Sequence, residues 1–334
     1  MTQDITIYHS IEHIGQVANA YASQNVFAEY QQRRAHNTLL RQGHDLHCFS
    51  TYLADAGIAL SGKDLMSNPQ AWQGITFGLV EGYVRWQLVQ GYAINSINVR
   101  LTTVKVYCRM ATKAGALTTN EHMLIRMVQG FRQKEGRNID ATRAPTRKGV
   151  KKAAAVAITK AQAEYLKTGQ PATMQGKRDA LLMCLLLDHG LRCGEVAALP
   201  VQSLNMADGL LTFYREKVDI VQTHSLTKDT LLAAMRYLEA CKPLERLLLG
   251  SRKNGTLHGG MGNRAITARV QALGKRLGIV GLSAHDCRHY WATSAIRGET
   301  DIKTLQDAGG WTSPAMPLRY AESSTIANKG VKLG

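Results

Sequence analysis

A short basic segment near the middle of the sequence separates two stretches that are rich in apolar residues. Residues 141–152 read ATRAPTRKGVKK, with five basic residues, one Pro, one Gly and no acidic residue. Such a segment is too polar to pack in a hydrophobic core, so it predicts a boundary between separately folded parts. We therefore expect a domain over residues 1–140, a linker over 141–155, a second domain over 156–320 and a tail over 321–334.

Apolar residues recur at helical spacing through most of the first domain, which predicts a helical bundle. Residues 1–25 carry little periodicity and predict a loose arm or a short helix. The clearest amphipathic helix has an apolar face formed by Ile97, Leu101, Val104, Cys108 and Ala111. Further apolar faces are formed by Leu46, Phe49 and Leu53, by Val80, Val84 and Leu88, and by Leu124, Met127, Val128 and Phe131, the last helix being capped by Thr119 or Asn120.

The second domain mixes helices with a hairpin. The run LLMCLLLDHG is apolar on nearly all sides and predicts a buried helix, while LLTFYR and VDIVQTHSL predict two strands separated by Glu216 and Lys217. The fold class expected for the whole chain is mainly α, with an α+β second domain. Helices are expected near residues 230–241, 264–277, 285–297 and 302–308, and on a short segment that carries Tyr320.

The charge balance favours a polyanionic partner. The 334 residues include 41 Lys and Arg against 25 Asp and Glu, a formal net charge of +16. Nucleic acid is the usual partner of such a chain, although an ordinary basic protein is the simpler alternative. The six cysteines form no Cys-x-x-Cys pair, so we expect neither a zinc module nor disulfides, and we expect a cytoplasmic location. No apolar run is long enough to predict a membrane partner.

Residues suited to phosphate chemistry lie in three segments. In AHDCRHYWAT, His285 and Arg288 are three residues apart and therefore lie on one helix face, where both can donate to a phosphate oxygen. Tyr320 follows in PLRYAES, and a phenol is a competent nucleophile once a phosphate is held in line. Arg192 lies upstream in HGLRCGEVAAL. Without an Asp/Glu cluster at metal spacing, these residues predict phosphoryl transfer to a tyrosine without a metal or another cofactor.

Four motifs in this order resemble those of the tyrosine recombinases, also called phage-type integrases, which include the Xer and Cre recombinases. The motifs are HGLRCGEVAAL, HDCRHYWAT, GGW and LRYAE, and the resemblance is strongest over residues 175–325. It implies that Arg192 and Arg288 bind the scissile phosphate, that His285 and Trp311 complete the pocket and that Tyr320 is the nucleophile. The residue-level alternatives are that Trp311 only packs and that Tyr290 competes as nucleophile.

The resemblance also implies roles for neighbouring residues. The general acid of the family is a lysine on the hairpin, which corresponds here to Lys217, with Arg215 as the competitor because the local sequence YREKVDIV departs from the usual pattern. Glu195 would support the site from behind the phosphate-binding residues, or form a simple surface ion pair with Arg192. His289 is four residues after His285, a spacing that can bind zinc, but a structural role is favoured.

What the resemblance implies for activity is site-specific recombination of double-stranded DNA. Tyr320 would form a 3′-phosphotyrosyl link, and a homotetramer would exchange strands between two duplexes through a Holliday junction. The first domain would grip DNA, the linker would be the hinge of the clamp, and residues 321–334 would either dock on a neighbouring subunit or fray. The alternatives are a type IB topoisomerase and a DNA-binding relative without activity. Expected DNA contacts are Arg100, Lys105, Arg109, Arg143, Arg147, Lys148, Lys151 and Lys152.

Overall fold

The chain folds into two compact units, Met1–Lys151 and Lys152–Gly334. The computed structural model describes residues 2–144, 148, 155–252 and 255–322, and within these ranges it describes side chains from residue 11 to residue 320. Helices dominate both units, and the second unit adds two small antiparallel sheets. The expected fold class, mainly α with an α+β second part, is therefore confirmed.

The helices of the first unit follow one another through short turns. A 3-10 turn over Pro69–Trp72 lies between the third and fourth helices. The helices are α1 (Thr2–Gln32), α2 (His36–Asp55), α3 (Gly62–Ser67), α4 (Phe77–Val89), α5 (Ile94–Lys113), α6 (Thr119–Met127) and α7 (Gln133–Thr142).

The second unit alternates helices with short strands. A three-stranded sheet has the order β1-β2-β3, and a two-stranded sheet pairs β4 with β5. The elements are α8 (Lys160–Thr168), α9 (Met174–Leu187), α10 (Cys193–Ala198), β1 (Leu204–Asn205), β2 (Leu210–Arg215), β3 (Ile220–Ser225), α11 (Lys228–Cys241), β4 (Leu249–Ser251), β5 (Leu257–Gly260), α12 (Asn263–Arg276), α13 (Ala284–Arg297), α14 (Ile302–Gly309) and α15 (Ala315–Glu322).

The core of the first unit forms where the predicted apolar faces meet. The faces of α2 and α5 are buried as expected, and Trp72 lies between them with no exposed surface. The Trp72 ring stacks on Phe49 at 5.9 Å and on Tyr107 at 6.0 Å, and its indole N–H donates to the Leu65 carbonyl at 2.9 Å. Aromatic rings therefore supply much of the apolar contact area of this core.

Two expectations for the first unit are wrong. Residues 1–25 are not a loose arm or a short helix, because α1 is continuous over 31 residues. The predicted helix with its face at Leu124, Met127, Val128 and Phe131 ends at Met127, and its buried residue is Ile125. Thr118, not Thr119 or Asn120, is its cap: the Thr118 hydroxyl accepts from the Glu121 N–H at 3.3 Å.

The core of the second unit surrounds α9, whose residues from Leu181 to Leu187 are all buried. Helices α8, α11 and α13 pack against it, so the apolar run is a buried helix as expected. A buried ion pair joins Arg178 to Asp179 at 2.8 Å, and Arg269 of α12 donates to the same carboxylate at 2.8 Å. Arg178 also donates to the Leu249 carbonyl at 2.6 Å, which ties α9 to β4.

The predicted hairpin is present, but its turn is longer than expected. Strand β2 pairs with β3 from Leu210–Ser225 to Arg215–Ile220, so residues 216–219 form the turn. Asp219 adopts a positive φ of 53°. Lys217 lies in this turn and is exposed, whereas Arg215 ends the strand and has no exposed surface.

No helix in the described ranges is both long and apolar enough to cross a membrane. The cysteines at positions 48, 108, 184, 193, 241 and 287 are all free thiols.

Two stacked histidines should make the second unit sensitive to acid. The His189 and His224 rings lie 5.8 Å apart, and burial lowers the pKa of each to about 4. An unfolded chain has histidines with a pKa of about 6.5, so it takes up protons first as the pH falls. The free energy of unfolding should therefore fall between pH 6.5 and pH 4, by about 2 kcal/mol per histidine at pH 5.

Urea unfolding at pH 7.5 and pH 5 measures this effect. The variant His224→Gln should lose about half of the acid sensitivity, while His258→Gln, an exposed histidine on β5, should behave like the wild type. The assignment would be contradicted if the free energy of unfolding of His224→Gln fell between pH 7.5 and pH 5 by as much as that of the wild type.

Candidate active site

The segment HGLRCGE brings Arg192 to the start of α10. Gly190 turns the chain after α9 with a φ of 60°, and a Cβ at this position would lie 2.3 Å from the Trp291 ring. Glu195 accepts the Arg192 backbone N–H at 2.7 Å and the Arg192 Nη1 at 2.7 Å. The guanidinium is thereby oriented by a carboxylate, and 26% of the Arg192 side chain stays exposed.

Arg288 reaches the same place from α13. Its side chain is buried, with Nη1 donating to the Gly190 carbonyl and Nη2 to the Gly309 carbonyl, each at 2.5 Å. The neighbouring Gly310 carbonyl accepts from Arg192 Nη2 at 3.5 Å. Arg192 and Arg288, which the sequence predicted to bind one phosphate together, are therefore linked through the adjacent carbonyls of Gly309 and Gly310.

Four successive carbonyls at the end of α14, from residue 307 to residue 310, accept hydrogen bonds from side chains of the site. We call this set the α14 terminus. The last carbonyls of a helix lack intrahelical partners and carry partial negative charge, so they favour cationic donors. The donors are, in order, Gln222 to Asp307, Arg215 to Ala308 at 2.8 Å, Arg288 to Gly309 and Arg192 to Gly310.

The glycine pair of the GGW motif is required by this close packing. Gly310 adopts a φ of 57°, and a Cβ there would lie 2.5 Å from Arg215 Cδ. A Cβ on Gly309 would lie 2.0 Å from the Trp311 ring. Only glycine allows both the left-handed turn and these contacts, so the motif can be explained by packing as well as by chemistry.

Trp311 and Tyr320 close the site on the side of α15. The Arg288 guanidinium lies 4.4 Å from the centre of the Trp311 ring, and the Trp311 and Tyr320 rings are 5.7 Å apart. The His289 ring meets Tyr320 edge to face at 4.9 Å. Tyr320 itself is 4% exposed. Trp311 therefore packs between an arginine and the candidate nucleophile.

The site carries more positive than negative charge. The guanidinium groups of Arg192 and Arg215 both bond to the carboxylate of Glu195, whose charge also acts on the nearby guanidinium of Arg288. Burial, and after it the charges of the other two arginines, lowers the pKa of Arg288 to about 9. This arrangement is suited to receive an anion, because a phosphate would relieve the repulsion among the arginines.

The candidate nucleophile is protonated in this state of the site. Burial raises the pKa of the Tyr320 phenol, while the positive charges of Arg288, Arg192 and Arg319 act in the opposite direction. The phenol must therefore lose its proton as it reacts. Burial also lowers the pKa of His289, which keeps that imidazole neutral near pH 7.

Two further predicted site residues, His285 and Lys217, are exposed. His285 is exposed in the first turn of α13. Lys217 in the hairpin turn lines a cavity of about 530 Å³ that Arg192 and Glu195 also line. Arg215, its competitor for the role of general acid, is fully buried and bonded to Glu195. In the described residues, no group of three or more His, Cys, Asp or Glu side chains is arranged to hold a metal ion.

The predicted DNA contacts of the first unit are only partly available. The Tyr92 ring is flanked by Arg100 at 4.1 Å and Lys148 at 5.0 Å, and Arg143 donates to the Tyr92 carbonyl at 2.9 Å. Lys105 donates to the Arg126 carbonyl at 2.9 Å, at the end of α6. Arg109 is exposed. Arg147, Lys151 and Lys152 lie outside the described residues.

Comparison with known proteins identifies the family. The model of the phage integrase family matches residues 155–325, slightly more than half of the 334 residues. Tyrosine recombinase XerC of Haemophilus ducreyi is 23% identical over 259 residues, which cover 77% of each protein. Tyrosine recombinase XerA of Saccharolobus solfataricus is 27% identical over 129 residues, covering 39% of this chain and 40% of that protein.

Solved structures share the fold. The Tn1549 transposon integrase in complex with transposon right end DNA superposes with a TM-score of 0.63 at 14% identity, covering 89% of this chain and 94% of that one. XerH recombinase bound to a palindromic difH substrate gives 0.56 at 14% identity, covering 75% and 70%. The chain belongs to the phage integrase family of tyrosine recombinases, enzymes that cleave and rejoin DNA.

Proposed function

We propose that this protein is a site-specific recombinase that cleaves a DNA strand with Tyr320 and rejoins it to a strand of a second duplex. The observation that carries the proposal is the meeting of Arg192, Arg288, Trp311 and Tyr320 in one positively charged site. Guanidinium groups bind phosphate oxygens through paired hydrogen bonds and keep their charge near neutral pH. A phosphodiester is therefore the substrate that this site fits best.

The proposed cleavage is an in-line displacement at phosphorus. The Tyr320 oxygen forms a bond to the scissile phosphorus, the bond to the 5′-oxygen breaks, and the 3′-phosphate stays on the tyrosine. Arg192 and Arg288 stabilise the charge on the non-bridging oxygens, and His285 and Trp311 donate to them from imidazole and indole N–H groups. Because the phosphotyrosyl link keeps the energy of the broken bond, the 5′-hydroxyl of a partner strand can reverse the step without ATP.

Two proton transfers accompany this step. The 5′-oxygen needs a proton as it leaves, and Lys217 is the proposed general acid, which its exposed position and its place on the cavity shared with Arg192 support. The Tyr320 phenol gives up a proton, and His289 is the proposed acceptor, because its ring contacts Tyr320 and it is neutral near pH 7.

The proposed partner is double-stranded DNA, bound by a homotetramer on two duplexes through a Holliday junction. The Tn1549 integrase and XerH structures contain DNA, and the lambda integrase structure is a dimer bound to a core site. In the first unit, Arg100, Arg109 and Lys148 are proposed phosphate contacts, whereas the Arg143 side chain is 12% exposed and is bonded to Asp140 and to the Leu88 and Tyr92 carbonyls. Docking of the tail 321–334 on a neighbouring subunit also remains a prediction, since residues 323–334 lie outside the described residues. A cytoplasmic location is proposed as well, because the proposed DNA partner is expected there.

A nicked suicide substrate tests the proposal. The substrates are DNA duplexes with candidate sites from the genome sequence that flanks the gene for this protein. Each is nicked so that the cleaved fragment diffuses away, and it is incubated with the protein in EDTA. The expected product is a protein–DNA adduct that survives SDS and maps to Tyr320 by peptide mass spectrometry. Tight DNA binding without an adduct on any substrate would contradict the proposal and favour a binding protein.

A second assay separates recombination from topoisomerase activity. Plasmids with two copies of the reactive site should yield rearranged products, and the rate should depend on both sites. Relaxation of supercoils at the same rate on plasmids with no site or one site, without joined products, would favour the type IB topoisomerase.

Replacing Lys217 with Ala should slow cleavage by about 10²- to 10⁴-fold, the usual contribution of a general acid. A substrate with sulfur in place of the 5′-bridging oxygen should restore the rate, because a thiolate leaves without protonation. Single-turnover cleavage on both substrates measures the effect, and Lys160→Ala, an exposed lysine on α8, is the matched control. A Lys217→Ala defect of equal size on both substrates would rule out the assignment.

A further inference from the structure

Arg215 lies behind the site, where it cannot touch DNA. It is the last residue of β2 and has no exposed surface. Its Nη1 donates to both oxygens of Glu195, at 2.9 and 2.7 Å, and its Nη2 donates to the Ala308 carbonyl at 2.8 Å. Its Nε donates to the Gln222 side chain on β3. A guanidinium so enclosed is neither a phosphate ligand nor a proton donor to a leaving strand.

The contacts of Arg215 lead to Arg192 by a first route, through the carboxylate of Glu195. Glu195 Oε1 accepts from both Arg215 and Arg192, and Oε2 accepts from Arg215 and from the Arg192 backbone. Without Arg215, the negative charge of Glu195 would have Arg192 as its remaining guanidinium partner. In that pairing, the carboxylate would compensate more of the positive charge that Arg192 offers to a phosphate.

A second route runs through the α14 terminus. Arg215 bonds to the Ala308 carbonyl, and its Cδ packs where a Cβ on Gly310 would lie. The Gly310 carbonyl is the one that accepts from Arg192 Nη2. Arg215 therefore supports both groups that orient the Arg192 guanidinium, the Glu195 carboxylate on one side and the Gly310 turn on the other.

We propose that Arg215 is a positioning residue for Arg192: by sharing the Glu195 carboxylate, it keeps the Arg192 guanidinium oriented toward the scissile phosphate and leaves its charge available to that phosphate. This inference rests on the proposed function, since it assumes that Arg192 binds that phosphate. Arg215 does not contact the substrate; it acts on the reaction through Glu195 and Arg192.

The test compares Arg215→Met, Arg215→Lys, Glu195→Gln and the double variant Arg215→Met/Glu195→Gln on the nicked suicide substrate. Single-turnover cleavage, DNA affinity and thermal unfolding are measured for each. Arg178→Met is the matched control, because Arg178 is also a buried arginine of the second unit paired with a carboxylate, but it bonds to Asp179 and β4.

Arg215→Met should slow cleavage by about 10²-fold, the size of effect seen when one preorganised group of a charged site is lost. DNA affinity should change less than about threefold, because many phosphate contacts contribute to it. Arg178→Met should lower the unfolding temperature and leave the cleavage rate of the folded protein unchanged. The double variant should be no slower than Arg215→Met, because both changes act through the same carboxylate. Arg215→Lys should recover part of the rate.

Three results would overturn the proposal while leaving Tyr320 chemistry intact. The first is a cleavage rate within threefold of wild type in Arg215→Met. The second is a loss in the double variant equal to the product of the losses in the two single variants. The third is restored cleavage by Arg215→Met on the substrate with a 5′-bridging sulfur, which would assign the effect to Lys217. If Arg215→Met does not fold, the neutral polar variant Arg215→Gln decides, and a cleavage rate within threefold of wild type in that variant overturns the proposal. Failure of the wild type to form any adduct would instead refute the proposed function.

Discussion

Replacing Tyr320 with Phe is expected to abolish covalent attachment to DNA, with a loss of at least about 10⁴-fold in cleavage. The change removes only the hydroxyl. The ring contacts to His289 at 4.9 Å and Trp311 at 5.7 Å are available to Phe as well, so the fold and the phosphate pocket should persist. SDS-resistant adduct on the nicked substrate measures cleavage, and a gel-shift titration should show DNA affinity close to wild type.

Tyr290→Phe is the control for this experiment. Tyr290 lies on α13 two residues after Arg288, and it is partly buried against the main core of the second unit rather than in the cluster that contains Tyr320. The variant should form adduct at the wild-type rate. Adduct formation by Tyr320→Phe, or its loss in Tyr290→Phe alone, would move the nucleophile to another residue.

The structure brings together four of the residues that the sequence motifs predicted for the site, Arg192, Arg288, Trp311 and Tyr320, and the motifs that carry them are local structural units. HGLRCGE is a helix, a glycine turn and a new helix, and the Arg192–Glu195 contact spans only three residues. GGW is a helix end with a left-handed glycine. The carbonyl partners of these arginines were not predictable in the same way, since Arg192 and Gly310 are 118 residues apart.

The burial of Arg215 could have been read from strand periodicity. Along β2, Leu211, Phe213 and Arg215 alternate with exposed residues, and they are the buried ones. Side chains two apart in a strand share a face, so Arg215 belongs to the face of two apolar residues. That signal argues against Arg215 as a solvent-accessible acid. Its actual partner, Glu195, comes from another element and is a tertiary contact.

The incorrectly predicted end of α6 shows the opposite case, in which tertiary contacts override a good local pattern. The apolar spacing continues through Val128 and Phe131, but Asn98 of α5 bonds to the Phe131 backbone at both N–H and carbonyl, at 2.9 and 2.8 Å. Lys105 donates to carbonyls at the helix end. These side chains from α5 satisfy backbone groups that a longer helix would have satisfied itself, so the helix ends early.

Replacing Arg288 with Lys is expected to reduce cleavage by at least about 10³-fold, although the formal charge is kept. The guanidinium of Arg288 spans the Gly190 and Gly309 carbonyls and lies over the Trp311 ring. An ammonium is a point donor that cannot reproduce this fork. Burial already lowers the pKa of the arginine to about 9, and the same burial removes the charge of a lysine more readily.

The defect of Arg288→Lys should therefore depend on pH as well as geometry. A buried lysine regains its proton as the pH falls, so the variant should recover part of its activity between pH 8 and pH 6, while the wild type should not gain over that range. Arg297→Lys, an exposed arginine in the last turn of the same helix, is the matched control and should cleave like the wild type. Equal cleavage by Arg288→Lys and Arg297→Lys would mean that charge alone suffices, and that the bonds to the α14 terminus do not orient the phosphate site.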